Sequence, residues 1–208
     1  MFIKFLLLML GSYLLGSVPL AYLVAKWARG IDLRQYGSGN VGVSNLLHLT
    51  SKWLALPVII FDLGKGAVMV WVARLLGLGI SQQILVGLAA IAGHNWSVFL
   101  HFSAGRGVMT TLGVVLVLVP RLTLVLLIVA YSGLPFGLFS TTALLAIALF
   151  PVCSWFYSAP VINWLLGIPF SVDERLPVTL SLLAIFLVTV IRRLTVPRTP
   201  LASSVTPR

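Results

Sequence analysis

The chain has 208 residues, of which 60% are hydrophobic and only 9% are charged, and its formal net charge is +10. A soluble domain cannot bury this proportion of apolar surface, so the composition predicts an integral membrane protein. The apolar stretches are continuous and do not alternate with polar residues, which favours spanning helices over a β-barrel. The positive charge does not indicate nucleic-acid binding, because the cations lie at the ends of the apolar stretches, as the positive-inside rule expects.

Seven apolar stretches predict an all-α bundle of about seven transmembrane helices, forming a single domain over residues 1–196. The predicted spans are 2–25, 54–77, 82–101, 107–119, 122–138, 141–158 and 176–192. Prolines inside the helical stretches predict kinks at Pro19, Pro57 and Pro135. Most cations then fall on one side of the membrane, which places the N-terminus outside and the C-terminus in the cytoplasm. Residues 197–208 are predicted to form a disordered tail.

The segment 37–45, which we call the first glycine segment, lies between the first two stretches. Glycines let backbone N–H groups approach an anion, and serine and asparagine side chains add hydrogen-bonding groups. An ordinary loop with a helix N-cap is the alternative, because serine and asparagine are common caps. The candidate phosphate-binding residues in this segment are Gly37, Gly39, Asn40, Gly42, Ser44 and Asn45, with Ser38 as a catalytic candidate.

Two charged residues, Asp62 and Lys65, lie inside the second apolar stretch. Ionisable residues within a span are costly, and they usually mark a cavity or a function. Their spacing puts them on one helical face, where they can form an ion pair. A structural ion pair and substrate binding by Lys65 therefore both stay open.

The second glycine segment, residues 101–111, follows the third stretch and contains Gly105, Arg106 and Gly107. The planar guanidinium of Arg106 can bind a phosphate, and the alternative is a membrane anchor. His94 and Asn95 precede the segment and could bind substrate or orient it, and a structural role is the commoner one for such a histidine. Because both glycine segments are predicted on the cytoplasmic side, they favour a single phosphate site there.

The sequence lacks the commonest catalytic motifs. No histidine is followed by an aspartate five positions later, and there is neither a Gly-x-Ser-x-Gly nor a Walker A sequence. No grouping of histidine, cysteine and carboxylate residues suits a metal ion. We therefore expect no metal and no cofactor.

Taken together, these motifs resemble the acyl-phosphate-dependent glycerol-3-phosphate acyltransferase family of bacterial membrane enzymes. The matching segments are 16–19, 30–34, 37–45, 62–66, 93–95 and 105–108, and Ser140 lies where the family has a Tyr-x-Ser-Leu segment. The resemblance implies a seven-helix bundle in the bacterial cell (inner) membrane. It implies transfer of an acyl chain from acyl phosphate to the 1-hydroxyl of glycerol-3-phosphate, by a protein that is surrounded by membrane lipid. Within it we expect Ser38 and Arg106 to be catalytic.

The chain departs from the family pattern at several polar positions. His48, a further substrate-binding candidate, replaces an arginine, and Ser103 replaces a lysine. A family His-x-x-Asn pair near the C-terminus maps onto the apolar Leu187 and Val190. These losses leave a second hypothesis open, a catalytically impaired relative that acts as a membrane subunit with a protein partner. A phosphate or anion transporter is a third, which the intramembrane charges would fit. We favour the acyltransferase, because the glycine motifs are nearly intact.

Overall fold

The computed structural model describes residues 2–133, 139–156 and 175–195, and every regular element in these ranges is helical. The helices are α1 (Phe2–Ser17), α2 (Leu20–Arg29), α3 (Val43–Leu49), α4 (Lys52–Leu75), α5 (Ile80–Asn95), α6 (Val108–Leu118), α7 (Pro120–Ser132), α8 (Phe139–Trp155) and α9 (Arg175–Thr195). Short 3₁₀ turns cover Leu33–Gln35 and Val98–Leu100. The predicted tail 197–208 and the kink at Pro135 lie outside the described residues.

Within the described residues, four segments are long and apolar enough to cross a membrane: Phe2–Arg29, Lys52–Leu75, Ile80–Leu100 and Arg175–Thr195. Helix α6 and parts of α7 and α8 are apolar but shorter. Many large apolar side chains point outward, including Trp53, Trp71, Ile128 and Leu194. An apolar exterior is expected where lipid replaces water as the solvent. The predicted count of seven spans and the side of each terminus stay predictions.

The bounds of α4, α6 and α9 agree with the predicted spans to within three residues, whereas α5 ends at Asn95, six residues before the predicted end of its span. The first span is interrupted. The predicted span 2–25 is broken, because α1 ends at Ser17 and α2 begins at Leu20. Pro19 lies at the break, where a missing backbone N–H is tolerated. Pro57, by contrast, lies within α4, which continues past it.

Helices α1 and α5 pack with their backbones in close contact. Gly16 lies on the backbone of Ala90, and Gly93 lies on the backbone of Tyr13. A Cβ atom at either glycine would collide with the opposite helix. Small residues of this kind let membrane helices approach closely, and here they fix the C-terminal end of α5 beside the α1–α2 break.

Helices α4 and α6 are joined in the same way. Gly66 of α4 lies on the Thr110 carbonyl, and Gly113 of α6 lies on the Leu63 carbonyl. This contact holds the N-terminal end of α6 against the middle of α4. Asp62 and Lys65 in the middle of α4, the end of α5 and the start of α6 are therefore brought to one region.

Candidate active site

Asn45 determines the shape of the first glycine segment. Its Oδ1 accepts a hydrogen bond from the Ser38 N–H (3.0 Å), and its Nδ2 donates to the carbonyls of Leu33 (3.2 Å) and Tyr36 (3.0 Å). Gly37 has φ +59° and lies directly on Asn45 Oδ1, where a Cβ has no room. Asn45 is 2% exposed, so its amide stabilises the loop conformation and does not face solvent. Its assignment as a substrate-binding residue stays a prediction.

The other polar residues of the segment divide between the surface and the interior. The predicted residues with exposed side chains are Ser38, Ser44 and His48. Ser44 and His48 lie four residues apart on one face of α3, a short helix that the sequence analysis did not predict. Asn40 is buried beside Gly42, and its Oδ1 has no hydrogen-bond partner among the described residues. Gly39 adopts φ +66° at the turn.

A buried charged network joins α4 to α5. Lys65 Nζ lies 2.8 Å from Asp62 Oδ1, and His94 Nδ1 lies 3.6 Å from the same oxygen. Lys65 also donates to the Val18 carbonyl (3.3 Å) at the α1–α2 break. The Lys65 and Asp62 side chains are only 1% and 3% exposed, so the ammonium group binds other groups of the protein and does not face solvent. In this arrangement Lys65 is an internal ion-pair partner, and substrate binding by it remains a prediction.

The second glycine segment packs on the end of α5. The Gly105 N–H donates to the His94 carbonyl (3.1 Å). A Cβ at Gly105 would collide with His94 Nε2 and with the Val41 carbonyl of the first glycine segment. Gly107, with φ +70°, is the N-cap residue of α6 and lies against Asn95 Oδ1.

Both glycine segments also share one apolar core. This core contains Leu33, Val41 and Leu46 around the first segment, and Leu100 and Ala104 from the second. The structure therefore brings the two segments together although they are far apart in sequence. Arg106 is half-buried between Gly105 and Gly107.

Buried polar groups without hydrogen-bond partners lie where α5 ends and α6 begins. Within the described residues, both amide atoms of Asn95 and the hydroxyls of Thr110 and Thr111 have none. Asn95 is 0% exposed. Buried polar groups in proteins are nearly always hydrogen-bonded, so this cluster has unused capacity for a polar ligand or water.

Arg192 of α9 is a site residue that the sequence analysis missed. Its Nε donates to the Gly105 carbonyl (3.0 Å) and its Nη2 to the Ala104 carbonyl (3.0 Å). The buried residues of α9 form one stripe: Val178, Leu182, Ile185, Thr189 and Arg192. That spacing of three and four residues was the available signal, but the sequence analysis counted this arginine only among the cations at the ends of the apolar stretches. Leu187, by contrast, is 46% exposed and points away from the bundle.

An ion pair fixes the entry to the first glycine segment. Arg34 Nη2 lies 2.6 Å from Asp32 Oδ2, and Arg34 Nε also donates to both carboxylate oxygens. The hydrogen bonds from Arg34 lower the pKa of Asp32, and those to Asp32 raise the pKa of Arg34. The guanidinium also lies over the Tyr22 ring at 5.5 Å. Arg34 is therefore committed to a neighbouring carboxylate.

Two further expectations concern metal ions and Ser140. Among residues 2–133, 139–156 and 175–195, no three histidine, cysteine or acidic residues come together as a metal site would require. Ser140 lies in the first turn of α8, but its side chain is outside the described part of the structure.

Comparison with known proteins decides the family. The family model for glycerol-3-phosphate acyltransferase matches residues 6–197. The chain belongs to the glycerol-3-phosphate acyltransferase family. Over 204 residues it is 43% identical to glycerol-3-phosphate acyltransferase 4 of Dehalococcoides mccartyi, covering 97% of this chain and 83% of that relative. It is 40% identical over 158 residues to the Azotobacter vinelandii acyltransferase, covering 76% of this chain and 80% of that relative.

Solved structures of the family share the fold. The chain is similar to the crystal structure of PlsY (YgiH), an integral membrane glycerol 3-phosphate acyltransferase, in its lysophosphatidic acid form. The TM-score is 0.69 and the identity 27%, over 91% of this chain and 88% of that one. The glycerol 3-phosphate form gives a TM-score of 0.68 over 96% of both chains. The family resemblance read from the motifs is confirmed, and the protein is an all-helical integral membrane protein.

Proposed function

We propose that this chain transfers an acyl group from acyl phosphate to the 1-hydroxyl of glycerol-3-phosphate, giving lysophosphatidic acid and phosphate. One observation carries the proposal: the two glycine segments meet at Val41 and Gly105, beside a buried polar cluster at the start of α6. A helix N-terminus presents backbone N–H groups and a partial positive charge to an anion. Arg106 precedes that terminus and adds a full positive charge. Membership of the family supports this assignment.

The reaction needs little covalent chemistry from the protein. In acyl phosphate the acyl carbon is already activated, so the substrate hydroxyl can attack it directly. A new ester C–O bond forms, the bond between the acyl carbon and the phosphate oxygen breaks, and phosphate leaves with the bonding electrons. The hydroxyl proton can pass to the departing phosphate. The protein then contributes by holding two phosphate-bearing molecules in line and by stabilising the charge that develops on them.

The named residues take different parts in this scheme. Arg106 and the start of α6 hold one phosphate, and the exposed Ser38 provides a hydroxyl to a substrate at the edge of the first glycine segment. Asn45 and the Asp62–Lys65–His94 network keep the two segments in place. Because the exterior of the bundle is apolar, the acyl chain of the donor can reach the site from the membrane lipid.

We also propose that the chain is a single domain of seven spans in the bacterial inner membrane, with the N-terminus outside and the site on the cytoplasmic side. The distribution of cations supports this orientation. The bacterial sources of the similar acyltransferases support the location. A cysteine reporter placed near each terminus, labelled in sealed vesicles, would test the orientation.

The decisive experiment is transfer of palmitate from palmitoyl phosphate to labelled glycerol-3-phosphate by the purified chain in detergent. We expect the wild-type protein to form lysophosphatidic acid, and Ser38→Ala and Arg106→Ala to lose at least about tenfold in rate, the size expected for one hydrogen bond to a charged group. Matched controls are Ser132→Ala and Arg29→Gln, which change exposed residues outside the two glycine segments. A folded but inactive wild-type protein would instead support a membrane subunit that has lost catalysis.

A further inference from the structure

We propose that Arg192 is a substrate-binding residue, whose guanidinium binds a phosphate dianion together with Arg106 while it also positions the second glycine segment. The inference rests on the proposed function, and it names a residue on the last helix that supplies charge to the site. It also explains how this chain can work although Leu187 and Val190 are apolar.

The first support is the position of Arg192 within α9. It continues the buried stripe of the helix and is 9% exposed. An arginine that serves only as a membrane anchor extends its charged end to water and headgroups. Arg192 instead turns into the bundle, and its guanidinium carbon lies 5.9 Å from the Trp96 ring centroid.

The second support is the hydrogen-bonding capacity that remains. A guanidinium has five N–H donors, and two of those of Arg192 bind the carbonyls of Gly105 and Ala104. In the described part of the chain, no hydrogen bond uses the other three. These three donors belong to a guanidinium that its other two hydrogen bonds already hold beside the second glycine segment, which contains Arg106. A phosphate accepts such donors in pairs.

The third support is charge. No salt bridge among the described residues includes Arg192. Arg192 binds the carbonyl of Gly105, which directly precedes Arg106, so the two positive charges are held at one segment and repel each other. Burial of the Arg192 charge without a salt bridge is costly, and a neighbouring charge of the same sign adds to that cost. A phosphate dianion between them would turn this repulsion into attraction.

Helix α9 thus places two polar residues in the bundle, each two positions later in the sequence than the motif alignment placed the histidine and the asparagine. Leu187 faces outward, whereas Thr189 and Arg192 lie on the buried stripe with the same spacing of three. The missing His-x-x-Asn therefore does not mean that α9 lacks polar groups at the site.

The test compares Arg192→Gln and Arg192→Lys with wild type, with Arg29→Gln as a control that removes an exposed charge. For each protein, kcat and KM are measured separately for glycerol-3-phosphate and for palmitoyl phosphate. Binding of glycerol-3-phosphate and of inorganic phosphate is measured by calorimetry without turnover. We expect Arg192→Gln to raise KM or Kd for one phosphate substrate by about 10- to 100-fold. The substrate that is affected identifies which phosphate Arg192 binds.

The other outcomes separate the two proposals. Wild-type KM values in Arg192→Gln, or a lower kcat with both KM values unchanged, would overturn phosphate binding by Arg192. If Arg192→Gln does not fold, Arg192→Lys decides. Lysine keeps the charge but lacks the planar fork, so a KM rise of at least about threefold supports the proposal and an unchanged KM refutes it. A wild-type protein that binds glycerol-3-phosphate without turnover would refute the proposed function alone, and one that binds neither substrate would overturn both.

Discussion

Replacing Lys65 by methionine should strongly destabilise the protein. Methionine keeps most of the aliphatic length but removes the ammonium, which lies 2.8 Å from Asp62 Oδ1 with both side chains at most 3% exposed. The carboxylate would stay buried without its nearest cation. Breaking a buried pair in this way costs about 3–5 kcal/mol, a large share of a net stability of about 5–15 kcal/mol. At about 2–4 °C per kcal/mol for a chain of this size, Tm should fall by roughly 6–20 °C.

The assay is thermal unfolding of the purified protein in one detergent, followed by tryptophan fluorescence. Lys52→Met is the matched control, because Lys52 is exposed at the start of the same helix. The double variant Asp62→Leu with Lys65→Met should recover most of the loss, since removing both partners of a buried pair is often neutral. A stable but inactive Lys65→Met would refute this reasoning and favour direct substrate binding by Lys65. A double variant no better than the single one would also contradict it.

Three further predictions concern the glycine segments and the ion pair that precedes the first of them. Gly105→Ala places a methyl group against His94 Nε2, so it should separate the two segments and lower the transfer rate at least about tenfold in a folded protein. Asn45→Ala leaves the buried partners of its amide unsatisfied, so we expect a loss of about 1–3 kcal/mol in unfolding free energy. The pKa of Asp32 is lowered from its ordinary value of 3.8 by the hydrogen bonds from Arg34. Its contribution to stability is therefore complete above that value and declines as the pH falls through the lower folded-state pKa.

Each of these predictions has its own control and its own contrary result. Gly64→Ala adds a methyl group where nothing lies within 4 Å, so it should leave activity unchanged. If Gly105→Ala were as active as Gly64→Ala, the close contact between the segments would not matter for catalysis. Asn45→Ala with wild-type Tm would show that the loop is held by other contacts. Arg34→Gln should flatten the acid dependence of Tm, and an unchanged profile would contradict the assigned role of the ion pair.

The helices were predictable because a membrane span requires a continuous apolar stretch, which a sequence shows directly. Helix α4 begins and ends within a few residues of its predicted bounds, and the interruption at Pro19 follows from the chemistry of proline. Helix α3 was not predicted, because seven residues beside a polar loop are too few for a clear periodicity. Its apolar contacts with the rest of the bundle make it helical, and local sequence does not contain those contacts.

The residue types of the site were predictable, but their roles were not. Ser44 and Asn45 are neighbours in sequence, yet one is exposed and the other is 2% exposed and bonded to three backbone groups. Arg192 and Arg193 look alike at the end of a span, and only the helical stripe of α9 distinguishes them. Which polar side chain holds the backbone and which is available to a ligand depends on tertiary contacts.

The energetics of the buried polar cluster fit an acyltransferase better than a membrane subunit that has lost its chemistry. The unpartnered groups of Asn95, Thr110 and Thr111 are buried, and each unsatisfied group costs about 1–3 kcal/mol. A protein kept only for its fold would gain stability by exchanging these residues for apolar ones of similar shape. Their retention beside two glycine segments and two arginines is understandable if a bound phosphate recovers part of that cost. Glycerol-3-phosphate should then raise Tm in proportion to its binding, which a purely structural subunit would not show.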